Sequence, residues 1–228
     1  MTARAPPEIR AVLLDALGTL VELRPPAPRL RRLLGVEGFE LSEERAAAGF
    51  GAEIAYYLAH HLDGGTPDGL EDLRDRCAEV LRKALGLPGL DHAAARRAML
   101  ASLEFAAYPD AAPALRALRE RGLGLVIASN WDRSLPAWLE PTGLLGLVDG
   151  VVTSAEVGAA KPHPAVFAAA LASAGVGPDE ALHVGDSVEN DLEGAAAAGV
   201  RAVLVAREGE PPAGVGAVRS LGDVPSLV

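Results

Sequence analysis

The sequence predicts a three-layer α/β fold, a parallel sheet between two layers of helix, with an all-helical insertion near its beginning. Three observations predict it. Short continuous apolar runs, the mark of strands buried on both faces, recur along the chain and alternate with stretches of helical periodicity. From Leu23 to Tyr108 the alternation stops and only helical patterning remains. The 228 residues, half of them apolar and 23% charged, suffice for one α/β domain and a small inserted unit, while two full domains would be cramped. The expected division is residues 1–22 with 109–228 for the α/β part and 23–108 for the insertion.

The first expected strand is Ala11–Asp15, closed by a turn at Gly18-Thr19. Four more follow at Leu123–Ser129, Val148–Thr153, Leu182–Asp186 and Ala202–Ala206, with helices expected over Ala111–Arg121, Ser134–Glu140, Pro164–Ala174 and Val188–Ala198. A strand, a crossover helix and another strand make a parallel sheet. Within the insertion, helices are expected over Ala27–Leu34, Glu43–His61, Pro67–Leu85 and His92–Glu104, with no convincing strand. Gly64-Gly65-Thr66-Pro67 and Leu87-Pro88-Gly89 supply the breaks between them. The tail after Gly209 carries no clear pattern.

Charge and composition exclude several classes of function. Acidic residues outnumber basic ones by 31 to 21, and the net charge of −10 repels nucleic acid and anionic lipid. No apolar run approaches the roughly 20 residues of a membrane span, and Met1–Arg10 lacks the apolar centre of a signal peptide, so the expected compartment is the cytoplasm. Cys77, the lone cysteine, excludes an intrachain disulfide and reads as filler on a helix face. No cysteine and histidine cluster has zinc spacing, and no nucleophile elbow is present. Gly122-Leu123-Gly124 precedes a strand instead of joining a strand to a helix, so it ends a helix and binds no dinucleotide.

In an open parallel sheet, ligands bind beyond the carboxyl ends of the strands, where polar residues from different strands converge. Four endings qualify: Asp15, Ser129-Asn130, Lys161-Pro162 and Asp186. Singly, each could be no more than a turn former or helix cap. Together they supply carboxylates, a hydroxyl and a cation, and Lys161 is one of two lysines in the chain, the other being Lys83.

In order, Asp15-Ala16-Leu17-Gly18-Thr19-Leu20, Ser129-Asn130, Lys161-Pro162 and Gly185-Asp186-Ser187-Val188-Glu189-Asn190-Asp191 resemble the four motifs of the haloacid dehalogenase (HAD) superfamily. The resemblance covers about Ala11 to Ala206 and implies a Rossmann-like core with a helical cap inserted after the first motif. It implies that Asp15 is a nucleophile forming an aspartyl ester. Ser129, with Asn130 beside it, would bind the transferring group, and Lys161 would neutralise charge on nucleophile and phosphoryl oxygens. Mg²⁺ would be held by Asp15, the Leu17 backbone carbonyl and Asp186, with Asp191 as a further ligand or as an orienter of Lys161. Thr19 would bind phosphate or brace the turn. Arg24 could meet an anionic substrate group or be a surface residue, and one of Tyr57, His60 and His61 could reach substrate, although exposure of one of the two histidines is the plainer reading. Trp131 is expected to pack beside the pocket. The implied partner is a small phosphorylated or otherwise anionic metabolite, the assembly a monomer or homodimer.

One position departs from the pattern. Phosphatases of this superfamily carry a second Asp two residues after the nucleophile, and here that residue is Leu17. A leucine transfers no proton, which removes a contribution of about 10² to 10⁴ in rate unless another group supplies it. Three readings therefore stand: an Mg²⁺-dependent phosphatase, slow or specialised; a 2-haloacid dehalogenase, whose halide leaves without a proton; or a binding protein that keeps the fold without turnover. Dehalogenases of the superfamily use no metal and have serine where this chain has Asp186.

Overall fold

β1 (Ala11–Leu14) is apolar and buried at every position, as a strand with neighbours on both edges and helices on both faces must be. It pairs in parallel with β4 (Gly124–Ser129) on one side and β6 (Ala181–Gly185) on the other, so that Val12 lies opposite both Leu125 and Leu182. With β5 (Gly150–Thr153), β7 (Arg201–Val205) and β8 (Ala217–Val218), these strands form one six-stranded parallel sheet in the order β5-β4-β1-β6-β7-β8. The computed structural model describes residues 8–228; the N-terminal reading of Met1–Pro7 lies outside the described residues. The chain divides into two compact units, Met1–Glu22 with Ala107–Val228 and Leu23–Ala106.

In the α/β unit, α5 (Ala111–Glu120), α6 (Leu135–Leu139) and α8 (Pro164–Ala174) lie between strands, and α8 packs Val166, Phe167 and Ala170 against Leu13, Val126 and Ala128. Three local features differ from the sequence expectation. The short strands β2 (Val21–Leu23) and β3 (Phe105–Ala107) pair with each other; three residues are too few to display a period of two. The tail contributes β8, which docks beside β7. The helix expected over Val188–Ala198 is instead a π-helical turn, Val188–Glu193, followed by one turn of α-helix, Gly194–Ala197. A Cβ at Gly194 would lie 2.9 Å from Pro162 Cα and 2.8 Å from the Phe167 ring, so only glycine permits this close approach.

The helical unit contains α1 (Pro26–Val36), α2 (Glu43–His60), α3 (Pro67–Leu85) and α4 (His92–Ser102). Side-chain caps begin three of them: Ser42 accepts from Arg45 N, Thr66 from Gly69 N and Asp91 from Ala94 N. Each cap contributes about 1 kcal/mol. On α3 the buried residues Leu70, Leu73, Cys77, Ala78, Leu81 and Leu85 fall at spacings of three and four, one helical face. Leu73, Cys77, Ala78, Leu81 and Leu85 join Leu30, Leu34, Phe50 and Met99 in a single core. No helix among the described residues is long and apolar enough to cross a membrane.

Within that core, α2 buries a carboxylate, Glu53. Burial pushes it up to about 7 from an ordinary 4.5, against a smaller opposing effect of a hydrogen bond with Cys77. The folded state thus keeps a proton that the unfolded chain releases near pH 4.5. Stability is expected to fall as pH rises from there to about 7, by a total on the order of 3 kcal/mol. Urea unfolding at several pH values should show this slope in the wild type and its flattening in Glu53→Gln. Separately, Leu81→Ala should lower stability by about 2–5 kcal/mol; a loss below about 1 kcal/mol in the same assay would contradict the packing of α3.

Candidate active site

Because β4, β1 and β6 are neighbours, their carboxyl ends bring Ser129, Asp15 and Asp186 to one edge of the sheet. Asp15 N donates to Val184 O at 2.9 Å, continuing the ladder one residue past β1. Its carboxylate is buried, and Oδ1 accepts from Ser129 Oγ at 3.0 Å and from Lys161 Nζ at 2.6 Å. Lys161 arrives on the loop that follows α7 (Ser154–Val157). Asn130 anchors that loop, its Nδ2 donating to Lys161 O at 2.9 Å and its Oδ1 accepting from Lys161 N at 2.7 Å. With both ends of its amide on the Lys161 main chain, Asn130 stands as a support for the lysine, where the resemblance had placed it toward substrate.

The Lys161 ammonium also donates to Asp191 Oδ1 at 2.6 Å. His183 Nε2 lies 2.9 Å from the same oxygen, and Ser187 N donates to Asp191 Oδ2 at 3.0 Å. Both oxygens of Asp191 thus meet protein groups, and Asp191 itself lies on the π-helical turn. Its carboxyl sits below its ordinary range: burial alone would raise it, but the His183 contact and the Lys161 cation outweigh burial. Burial raises Asp15, only partly offset by Lys161. Lys161 itself is raised, since Asp15 and Asp191 overcome a burial that would otherwise strip its proton.

Asp186 is exposed, and it is pushed up to about 6, first by desolvation and then by the charges of Asp15 and Asp191. The three carboxylates offer ligand oxygens within 4.8 Å of one another. An all-oxygen donor set with one ammonium for three carboxylates fits a hard divalent cation, which would relieve the crowding that raises Asp186.

The turn after Asp15 completes the site. Gly18 has φ +86°, and a Cβ there would lie 2.1 Å from Asp186 Oδ2, so the position needs glycine both for conformation and for space. Leu17 is 41% exposed. Thr19 is fully buried, with its hydroxyl unpaired among the described residues. In the helical unit, Arg24 is exposed. His61 is buried, and His60 is half-buried and stacked on Tyr56 at 4.0 Å, so neither histidine shows the expected exposure. The helix end folds into a 3-10 turn, His61–Gly65, that carries His61 inward. Trp131 is buried, with its main chain tied to Ser154. Sequence reasoning gave His183 no role, although one polar residue inside the buried run Leu182-His183-Val184 was a usable signal.

Residues 9–199 match the haloacid dehalogenase-like hydrolase family. A phosphoserine phosphatase of Thermus thermophilus is 34% identical over 223 residues, 87% of this chain and 89% of the relative. Haloacid dehalogenase-like hydrolase domain-containing protein 3 of Bos taurus is 46% identical over 92 residues, which are 40% of this chain and only 37% of that relative's length. Among solved structures, the L-2-haloacid dehalogenase of Xanthobacter autotrophicus superposes with a TM-score of 0.70 at 26% identity, covering 96% of this chain and 98% of the other.

Removing Lys161 would leave Asp15 and Asp191 buried without their shared cation. Lys161→Met is expected to destabilise the protein by about 3–5 kcal/mol near neutral pH, and by less in acid, where Asp15 takes up a proton. Urea unfolding of variant and wild type at matched pH measures the difference; an equal loss at both ends of the range would remove the charge explanation.

Proposed function

The chain belongs to the haloacid dehalogenase-like hydrolase family, and on that premise we propose that it is a Mg²⁺-dependent phosphatase acting on a small phosphorylated metabolite through an aspartyl-phosphate on Asp15. The observation that carries this reading is the placement of Asp186 and Asp191 beside Asp15, with Lys161 between Asp15 and Asp191. The name of the Thermus relative, phosphoserine phosphatase, supports a phosphomonoester as the substrate class.

Asp15 attacks phosphorus, the bond to the leaving oxygen breaks, and the phosphoryl group passes to the carboxylate. Water then attacks the same phosphorus, releasing inorganic phosphate and restoring Asp15. Lys161 offsets the repulsion between a carboxylate and a phosphate dianion, and Ser129 orients the reacting oxygen. Mg²⁺, when bound by Asp15, Asp186 and the Leu17 carbonyl, would supply charge stabilisation for the transferring group. Asp191 orients Lys161 and is itself held by His183 and Ser187. Leu17 donates no proton to the leaving oxygen, which costs about 3–5.5 kcal/mol of barrier reduction on the general acid/base scale. Turnover is therefore slow, or restricted to substrates whose leaving group needs no proton.

A second reading, 2-haloacid dehalogenase, is favoured by that same leucine and by the likeness to the Xanthobacter enzyme. A halide leaves unprotonated, whereas Asp186 beside Asp15 and Asp191 serves no purpose in a metal-free displacement and adds repulsion.

Hydrolysis of an activated aryl phosphate separates the readings. Wild type should release phosphate only with Mg²⁺, Asp15→Asn should be inactive, and Asp186→Ala should lose the metal dependence together with most activity. Leu17→Asp should raise kcat by about 10-fold or more with ordinary alkyl phosphates. Turnover surviving in Asp15→Asn would falsify the mechanism. Chloride release from a 2-chloroacid without Mg²⁺ would favour the second reading, and silence from every variant would leave a binding protein.

A further inference from the structure

Arg207 follows β7 and lies beyond the residues that match the family. Its guanidinium spends one edge on the turn after Asp15: Nε donates to Gly18 O at 3.2 Å and Nη2 to Thr19 O at 2.5 Å. Its outer edge meets Asp110, with Nη1 and Nη2 each 3.1 Å from a carboxylate oxygen. Its face covers the Tyr108 ring at 3.6 Å. Asp110 is tied in turn to the tail, accepting from Ser220 Oγ at 2.8 Å and Leu221 N at 2.9 Å.

The turn itself leaves these two carbonyls to Arg207. Ala16 O accepts from Leu20 N and Val21 N, Val21 O accepts from Gly18 N, and Leu20 O accepts from Tyr108 N. Gly18 O and Thr19 O take none of those internal bonds, and Thr19 is buried, so a side-chain donor is required there. A planar cation that donates in two directions and stacks on a ring meets that need, and lysine does not.

We propose that Arg207 is a positioning residue for the reaction: by holding the Gly18 and Thr19 carbonyls it sets the turn that carries Asp15 and the Leu17 carbonyl, with Gly18 packed against Asp186. This rests on the metal-dependent reading above. The tail from Ser220 onward thereby belongs to the support of the site, through Asp110 and Arg207.

The test compares Arg207→Ala, Arg207→Lys and Arg219→Ala with wild type. Arg219 precedes that tail and donates to Ala206 O and Gly209 O, with no bond to Asp110, Arg207 or the turn among those described. Three quantities are read: Mg²⁺ affinity by calorimetry, kcat and KM on an aryl phosphate, and hydrogen exchange at the amides of Gly18, Leu20 and Val21. In Arg207→Ala, Mg²⁺ binding should weaken by about 10- to 100-fold. Its kcat should fall while KM stays within about twofold, and the turn amides should exchange faster. Guanidinium ion, added far below denaturing concentrations, should restore part of all three in Arg207→Ala, and Arg219→Ala should behave as wild type. If Arg207→Ala does not fold, Arg207→Lys carries the same comparison. A folded Arg207 variant with unchanged turn exchange and unchanged Mg²⁺ affinity overturns the proposal. A wild type that binds no Mg²⁺ overturns the metal-dependent reading instead, and turn exchange alone then decides whether Arg207 is the brace.

Discussion

One buried ammonium, shared by two carboxylates, is the interaction on which the site depends. Lys161 Nζ lies 2.6 Å from both Asp15 and Asp191. Two carboxylates buried this close repel strongly where water is excluded, and only a cation in contact with both makes the arrangement tolerable. Holding that cation in place requires control of both ends of the lysine. Asn130 grips the main chain, and the carboxylates grip the head.

Much of the local architecture follows from that requirement. Asp191 lies on the π-helical turn after Asp186, where it meets Lys161, His183 and Ser187 N. Insertions of this kind inside helices are frequent at functional sites. Gly18 lets the chain turn sharply against Asp186, and Gly194 lets the π-turn region pack on Pro162. The charge that Lys161 leaves unmatched collects at Asp186, the exposed member of the cluster, where a cation from solvent has access. Chemistry and stability thus make opposite demands on the same few side chains, as sites with crowded charge commonly do.

How far the sequence could be read depended on the range of each interaction. The five long strands were legible because each is a continuous apolar run, and the helices of the insertion because the breaks at Gly64-Gly65-Thr66-Pro67 and Leu87-Pro88-Gly89 separate stretches of helical periodicity. β2, β3 and β8 have two or three residues each, and their pairing comes from chain segments far away in sequence. Because adjacent helical residues diverge, the sequence points to exposure of one of His60 and His61; the 3-10 turn buries His61 and the Tyr56 ring half-covers His60. Arg207 left no local trace, since the partners that give it a purpose are two carbonyls at residues 18 and 19 and a carboxylate at residue 110.

The sequence by itself determined the fold class, the family, and the residues that end the central strands, because apolar periodicity and motif order are properties of short segments. It also determined the absence of a proton carrier at Leu17, a matter of residue type alone. Only the tertiary structure decided which polar atoms meet: that Lys161 bridges Asp15 and Asp191, that Asn130 turns to the lysine main chain, and that Arg207 reaches the turn after Asp15. Those contacts join residues 30 to 189 positions apart. Their distances are set by strand order and by packing across the sheet, which no local pattern records.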